Sequence, residues 1–146
     1  MGARRVTVLS NAAAMSKAPH ISVVIPVYNE ESIVESAGLE LAAGLEARGL
    51  SFEIIFAENG SRDATPQILE RMSREHPNLR WFHSETPNYG SALKRGIQEA
   101  RGDIVFCDEI DLCDLRFYDA ALPELERGDV DLIVGSKAAR GASDQR

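Results

Sequence analysis

The spacing of hydrophobic and polar positions changes period several times along this chain. From Ile21 to Val27 the run Ile-Ser-Val-Val-Ile-Pro-Val is apolar almost throughout. That is the pattern of a short strand covered on both faces, and Pro26 marks its end. From Glu31 to Arg48 the period lengthens, and Ile33, Val34, Ala37, Leu41 and Leu45 fall at helical spacing. Gly49 is placed to stop that helix. Phe52 to Ala57 predicts a second strand. A second helix follows, capped by Asp63 or Thr65, with Pro66 in its first turn, where a missing N–H costs nothing. It runs to about Glu75 and ends before Pro77. Leu79 to His83 predicts a third strand, Ser91 to Arg101 a third helix closed by Gly102, and Ile104 to Cys107 a fourth strand. Tyr118 to Glu126 predicts a short helix and Asp131 to Val134 a fifth strand. Strands alternating with helices imply an α/β domain, an open and mostly parallel sheet with helices on both faces. The domain is expected over residues 20–137, with residues 1–19 a disordered leader (or Met15 the natural start) and 138–146 a loose polar tail.

An open sheet of this kind places its ligand outside the carboxyl ends of its strands. Three chemically unusual segments fall there. Asp108, Glu109, Asp111 and Asp114 crowd together after the fourth strand. Carboxylates so close repel one another in a partly dry cleft, and a divalent cation on oxygen ligands would compensate them. A solvated acidic turn, or caps on the next helix, would equally explain them. Glu58-Asn59-Gly60-Ser61-Arg62-Asp63 follows the second strand. It reads as a turn and cap, or as a hydrogen-bonding pair, Glu58 and Asn59, able to read a base or ribose edge. Tyr28-Asn29-Glu30-Glu31 follows the first strand. Asn29 would cap the first helix, with Glu30 and Glu31 at the positive end of its dipole. Tyr28 packing on a base and Glu30 touching nucleotide are compatible with that role.

Composition narrows the choice of partner. A net charge of -7 and only 6% aromatic residues argue against nucleic-acid binding, which needs clustered Lys and Arg and stacking platforms. A phosphorylated ligand would need a metal or locally arranged amides. Cys107 and Cys113 make no disulfide framework and lack metal-ligand spacing, so two reduced thiols are expected. No run approaches the ~20 apolar residues of a membrane span, and the first residues lack a secretory apolar segment. Cytoplasmic residence is the resulting expectation.

Together the segments become specific. Ile21 to Glu31 resembles the opening of family 2 glycosyltransferases of the GT-A fold, particularly the polyprenyl-phosphate (dolichol-phosphate mannose synthase-like) branch. Glu58-Asn59-Gly60-Ser61-Arg62-Asp63-Ala64-Thr65 is similar to that family's Asp-Asp-Gly-Ser-x-Asp-x-Thr. Asn88-Tyr89-Gly90-Ser91-Ala92-Leu93-Lys94-Arg95-Gly96 resembles its Asn-x-Gly-x-Ala-x-x-x-Gly helix, and Ala100 to Asp103 the following turn. Glu109-Ile110-Asp111 falls on its Asp-x-Asp, and Asp131 to Lys137 resembles its later strand and Gly-Ser-Arg end. The resemblance implies a Rossmann-like half that binds a nucleotide-diphosphate sugar. Pro26, Tyr28 and Glu30 would line base and ribose, Glu58 or Asn59 would read the base, and Lys94 would join the donor site. Asp111 would bind Mg²⁺ or Mn²⁺ at the diphosphate, with Glu109 beside it on ribose or metal. It further implies an inverting, hexosyltransferase-type enzyme whose acceptor is a polyprenyl phosphate, met at the membrane surface by an otherwise cytoplasmic protein. Such an acceptor is anionic at neutral pH and needs no general base, and no catalytic residue is assigned.

Two departures bear on this. Glu58-Asn59 stands for Asp-Asp, and Glu109 for the first Asp of Asp-x-Asp, with Asp108 and Asp111 an alternative register. Family members also continue well past this length, so the chain is expected to stop before an acceptor half, near Lys137, Arg140 and Arg146. A truncated or degenerate nucleotide-sugar-binding module without turnover is therefore the second hypothesis. A sugar-nucleotidyltransferase is the third, disfavoured because no Gly-rich loop with Arg and Lys follows the first strand.

Overall fold

The computed structural model describes residues 18–135. Four parallel strands, β1 (Ile21–Val27), β2 (Phe52–Glu58), β3 (Leu79–His83) and β4 (Ile104–Cys107), lie in the order β3-β2-β1-β4. Ile21 pairs with Phe52 on one side and Ile104 on the other, and Ile54 with Leu79. The helices α1 (Val34–Ala47), α2 (Thr65–Glu75), α3 (Tyr89–Glu99) and α4 (Leu115–Glu126) make the connections. β1 and β2 are buried at every position, which is why their sequences read as apolar runs rather than as alternation.

Side chains alternate across the sheet and define two cores. Val23, Ile25, Val27, Ile54 and Phe56 meet α1, α2 and α4 through Leu41, Leu45, Leu69, Met72 and Tyr118. Val24, Ile55, Ala57 and Phe82 face the other way and meet α3 at Ala92. Helices therefore cover both faces, as the alternating pattern implies. The chain builds β1, β2 and β3 outward on one side, then crosses by α3 to place β4 on the far side of β1. The order thus reverses between β1 and β4, where a crevice opens at the strands' carboxyl ends.

Glu53 ties the opposite end of the sheet together. Only 2% of it is exposed, yet it accepts from Ser22 Oγ (2.6 Å), Arg80 Nε (2.7 Å), Arg101 N (2.7 Å) and Arg101 Nη2 (2.9 Å). Ser22 Oγ in turn accepts from Gly102 N at 2.8 Å, so one carboxylate links β1, β2, β3 and the turn entering β4. Burial pushes the Glu53 carboxyl up, but the bonds from Arg80, Ser22 and Arg101 outweigh it and bring the pKa down to about 2.

Three sequence expectations need correction. Asp131 to Val134 is not a strand; Leu132 and Val134 are 79% and 75% exposed, and no ladder takes up its backbone groups among the described residues. The first helix starts at Val34 rather than Glu31. Asn29 does not cap it: Ile33 holds the cap position without a side-chain bond, and Asn29 sits at φ 53 with its side chain turned to the loop after β2. The stop at Gly49 is as expected. At φ +66 it donates to Glu46 O while Leu50 N–H reaches Leu45 O, a left-handed closure that glycine adopts freely. Lys137, Arg140 and Arg146, residues 1–17 of the leader expected over 1–19, and the tail expected over 138–146 lie outside the described residues.

Candidate functional site

The loops after β1 and β2 are cross-braced. Asn29, Glu30 and Glu31 donate their backbone N–H groups to Ser61 Oγ (2.8 Å), Thr65 Oγ1 (2.9 Å) and Asp63 Oδ2 (3.1 Å). In return Asn29 Oδ1 accepts from Arg62 N and Glu31 Oε2 from Ala64 N, both at 2.8 Å. Asp63 also accepts from Thr65 N–H at 2.9 Å, close to the cap role expected of it, although Ala64 occupies the cap position. The Ser-x-Asp-x-Thr spacing thus presents three acceptors that fix the loop after β1, at Asn29, Glu30 and Glu31, 32 to 35 residues upstream of them. Sequence spacing shows the three acceptors but not the partner they reach.

The acidic segment after β4 separates into three roles. Asp114 caps α4, its Oδ1 accepting from Arg116 N at 3.0 Å. Asp108 turns inward, where Tyr118 Oη donates to its Oδ2 (2.7 Å) and Glu109 N–H to its Oδ1 (2.8 Å). Burial raises the Asp108 carboxyl above its ordinary range, against the lowering by the Tyr118 hydroxyl. Tyr118 itself stacks on Phe106 with ring centroids 4.2 Å apart, which holds the pair in place. Glu109 and Asp111 remain exposed, with Ile110 between them anchoring the loop in the core.

These segments meet at the crevice between β1 and β4. A cleft of about 210 Å³ is lined by Pro26, Val27, Tyr28, Glu30, Asn59, Tyr89, Glu109, Ile110 and Asp111. Of the residues singled out by sequence, Pro26, Tyr28, Glu30, Asn59, Glu109 and Asp111 therefore share one site. Glu58 does not: it is 0% exposed, with Oε1 accepting from Ser61 N and Oε2 paired with His83 Nδ1. Burial raises its pKa, but bonds from Ser61 and His83 outweigh that and hold it below the ordinary value. Lys94 is exposed on α3 and does not line the cleft. Tyr89 was not anticipated. Its one signal is an aromatic at a loop-to-helix junction, directly after Asn88, whose Oδ1 caps α3.

The cleft is electronegative. Glu30 is raised above the ordinary carboxyl range by burial first, then by Asp111 and Asp63. Burial, then Glu109 and Cys107, raise the Tyr89 phenol. Mutual repulsion of this kind is relieved by a cation, and carboxylate oxygens suit Mg²⁺ or Mn²⁺. Among the described residues no three His, Cys, Asp or Glu side chains converge to hold a metal alone. Glu109 and Asp111 are the exposed carboxylates of the cleft, and a cation held there would need its remaining ligands from elsewhere, such as phosphate oxygens.

Comparison with known proteins agrees with this architecture. A family model described as "Glycosyl transferase family 2" matches residues 22–146. The chain is 34% identical over 130 residues to Glycosyltransferase AglD of Haloferax volcanii, covering 86% of this chain and 21% of that protein. It is 38% identical over 95 residues to an Undecaprenyl-phosphate 4-deoxy-4-formamido-L-arabinose transferase of Pseudomonas aeruginosa, covering 63% and 28%. Among solved structures, it resembles Mannosyltransferase PcManGT from Pyrobaculum calidifontis in complex with GDP-Man and Mn²⁺, with a TM-score of 0.56 and 25% identity over 66% of this chain and 28% of that one. The chain thus spans less than a third of the length of each of these three proteins. No helix among the described residues is long and apolar enough to cross a membrane.

Proposed function

This chain belongs to glycosyl transferase family 2 and has its GT-A type α/β fold, and from that premise we propose that the β1–β4 cleft holds the nucleoside diphosphate of a sugar donor together with Mg²⁺ or Mn²⁺. The observation that carries the proposal is the convergence of Tyr28, Glu30, Asn59, Glu109 and Asp111 from three separate loops on one cleft at the topological switch point. Pro26 and Tyr28 form an apolar and aromatic wall for the base, and Glu30 stands where a ribose hydroxyl could donate to it. Asp111 and Glu109 are the cation ligands. When bound, the cation neutralises charge that builds on the departing diphosphate. The cross-braced loops hold Glu30 in place, and bonds to Val27 O and Asn88 N–H hold Asn59, before the ligand arrives, so little ordering of these residues remains to be done on binding.

The reaction we assign is transfer of a hexosyl unit, with inversion, to a polyprenyl phosphate at a membrane surface. A lipid phosphate oxygen attacks the anomeric carbon as the bond to the nucleoside diphosphate breaks. The attacking oxygen is already ionised, so no side chain has to remove a proton. Support comes from the family and from the undecaprenyl-phosphate transferase among the relatives. A second reading, a nucleotide-sugar-binding module without turnover, is favoured by Glu109 and Glu58-Asn59 standing where the motifs they resemble carry Asp. A product assay separates the two: the chain is incubated with GDP- and UDP-sugars, Mn²⁺ and undecaprenyl phosphate, and lipid-linked sugar is measured. Product that disappears in Asp111→Ala supports the transferase, donor binding without product supports the module, and product unaffected by Asp111→Ala refutes the assigned metal ligand.

A further inference from the structure

β4 ends the sheet on one side, and alternate backbone groups along it point away from the sheet. Ile104 N–H donates to His20 O at 3.2 Å and Asp108 N–H to Val24 O at 3.0 Å, so residues 104, 106 and 108 face β1. Alternation along a parallel ladder then turns the N–H and C=O groups of Val105 and Cys107 outward. No described residue takes them up. The strand is apolar, Ile-Val-Phe-Cys, yet only Phe106 is buried, whereas β1 and β2 are buried throughout. An uncharged edge of this kind is a template for another strand, and proteins ordinarily cover it. Asp131 to Val134, strand-like in sequence, stays off the ladder.

We propose that Val6 to Leu9 of the leader adds to the outer edge of β4 as an antiparallel strand, and so brings Arg4 and Arg5 to the acidic mouth of the cleft. Val6-Thr7-Val8-Leu9 is the one β-branched run in residues 1–17, the composition that suits a half-buried strand. Length and direction both fit. The link from Ser10 to His20 has to span two strand spacings, about 10 Å, and a chain of that length extends to about 36 Å. Antiparallel addition keeps the link at the amino ends of β1 and β4, whereas parallel addition needs a crossover along the sheet. The same direction carries the residues before Val6 past the carboxyl end of β4, where Asp108, Glu109 and Asp111 lie. Among the described residues no Lys or Arg lines the cleft, so two guanidinium groups arriving there meet carboxylates of opposite charge. A second copy of the chain fits the edge less well. Pairing β4 with β4 antiparallel sets Asp103 of each copy against Asp108 of the other, like charges opposed in a chain of net charge -7.

The test is amide hydrogen exchange of the full chain, read residue by residue by NMR, and it needs no nucleotide. The Val105 and Cys107 amides should exchange at least about tenfold more slowly in the full chain than in a chain beginning at Met15, at every protein concentration. Ile104 and Phe106, which face β1, should stay protected in both and report that the sheet is intact. Val8→Pro, a change outside the described fold, should remove the protection as the deletion does, because proline cannot donate to a ladder. Arg4→Glu with Arg5→Glu should weaken it, most at low salt. Unprotected Val105 and Cys107 amides in the full chain overturn the proposal. So does protection that survives the deletion, which would give the edge to another segment such as Asp131 to Val134. Protection that rises with protein concentration would give it to a second copy, and overturns the proposal equally.

Discussion

Glu53→Gln preserves the shape of a buried side chain on β2 while removing its charge. The carboxylate accepts from Ser22, Arg80 and Arg101, and its pKa falls from an ordinary 4.5 to about 2. A shift of that size corresponds to about 3 kcal/mol of folding stability at neutral pH. Part of it is recovered in the variant, because the Arg101 side chain is 62% exposed and can return to water. We expect Glu53→Gln to cost about 2 kcal/mol and to lower the melting temperature by roughly 6 °C. The pH dependence gives a sharper signature. A carboxyl whose folded pKa is depressed contributes stability above its unfolded value, and loses it as pH falls through the folded one. The difference between wild type and Glu53→Gln should be full at pH 6, shrink below pH 4.5 and nearly vanish by about pH 2. Urea unfolding at a series of pH values measures it. A difference that stays constant from pH 6 to pH 2.5 would refute the electrostatic account of this network.

Other perturbations follow from the same geometry. Thr65→Val keeps the shape of a fully buried side chain but leaves Glu30 N–H without its acceptor; it should cost about 1–2 kcal/mol and speed amide exchange selectively at Glu30. Gly96→Ala would bring a Cβ to 2.3 Å from Val24 Cγ1 and should destabilise by about 1–3 kcal/mol, a loss that Val24→Ala partly restores in the double variant. Asp111→Asn should lower the Glu30 pKa without returning it to its ordinary value, since burial is the larger cause; carboxyl NMR titration reads this, and an unmoved Glu30 would mean that the two groups do not share a field.

The parts of the fold that could be read from sequence are those whose environment acts on local pattern. β1 and β2 are buried on both faces and show as continuous apolar runs, while β3 and β4 begin and end where expected because turns and glycine bound them. The helix after β1 begins late because Glu31 is held outside it by Asp63 and Ala64, partners more than thirty residues away. The apolar spacing of Asp131 to Val134 suits a strand, but a strand also requires a neighbour to take up its hydrogen bonds. At the site, resemblance brought Pro26, Tyr28, Glu30, Asn59, Glu109 and Asp111 forward, and one cleft unites them. Glu58 and Asn59 look interchangeable in sequence, and only their bonds distinguish an inward carboxylate from a cleft-facing amide. Glu53 was invisible for a similar reason: a single acidic residue within a strand gives no hint of the three elements that converge on it.

The claim on which the account depends is that Asp111 and Glu109 hold a cation at the diphosphate of a bound nucleotide. The direct measurement is the affinity of the chain for the tightest-binding of CDP, UDP, ADP and GDP, with Mn²⁺ and then with EDTA, in wild type and Asp111→Ala. The account predicts that removing the metal weakens wild-type binding by about tenfold or more, and that Asp111→Ala binds weakly whether or not metal is present. Equal affinity with Mn²⁺ and EDTA in the wild type, or full metal-dependent affinity in Asp111→Ala, would contradict it.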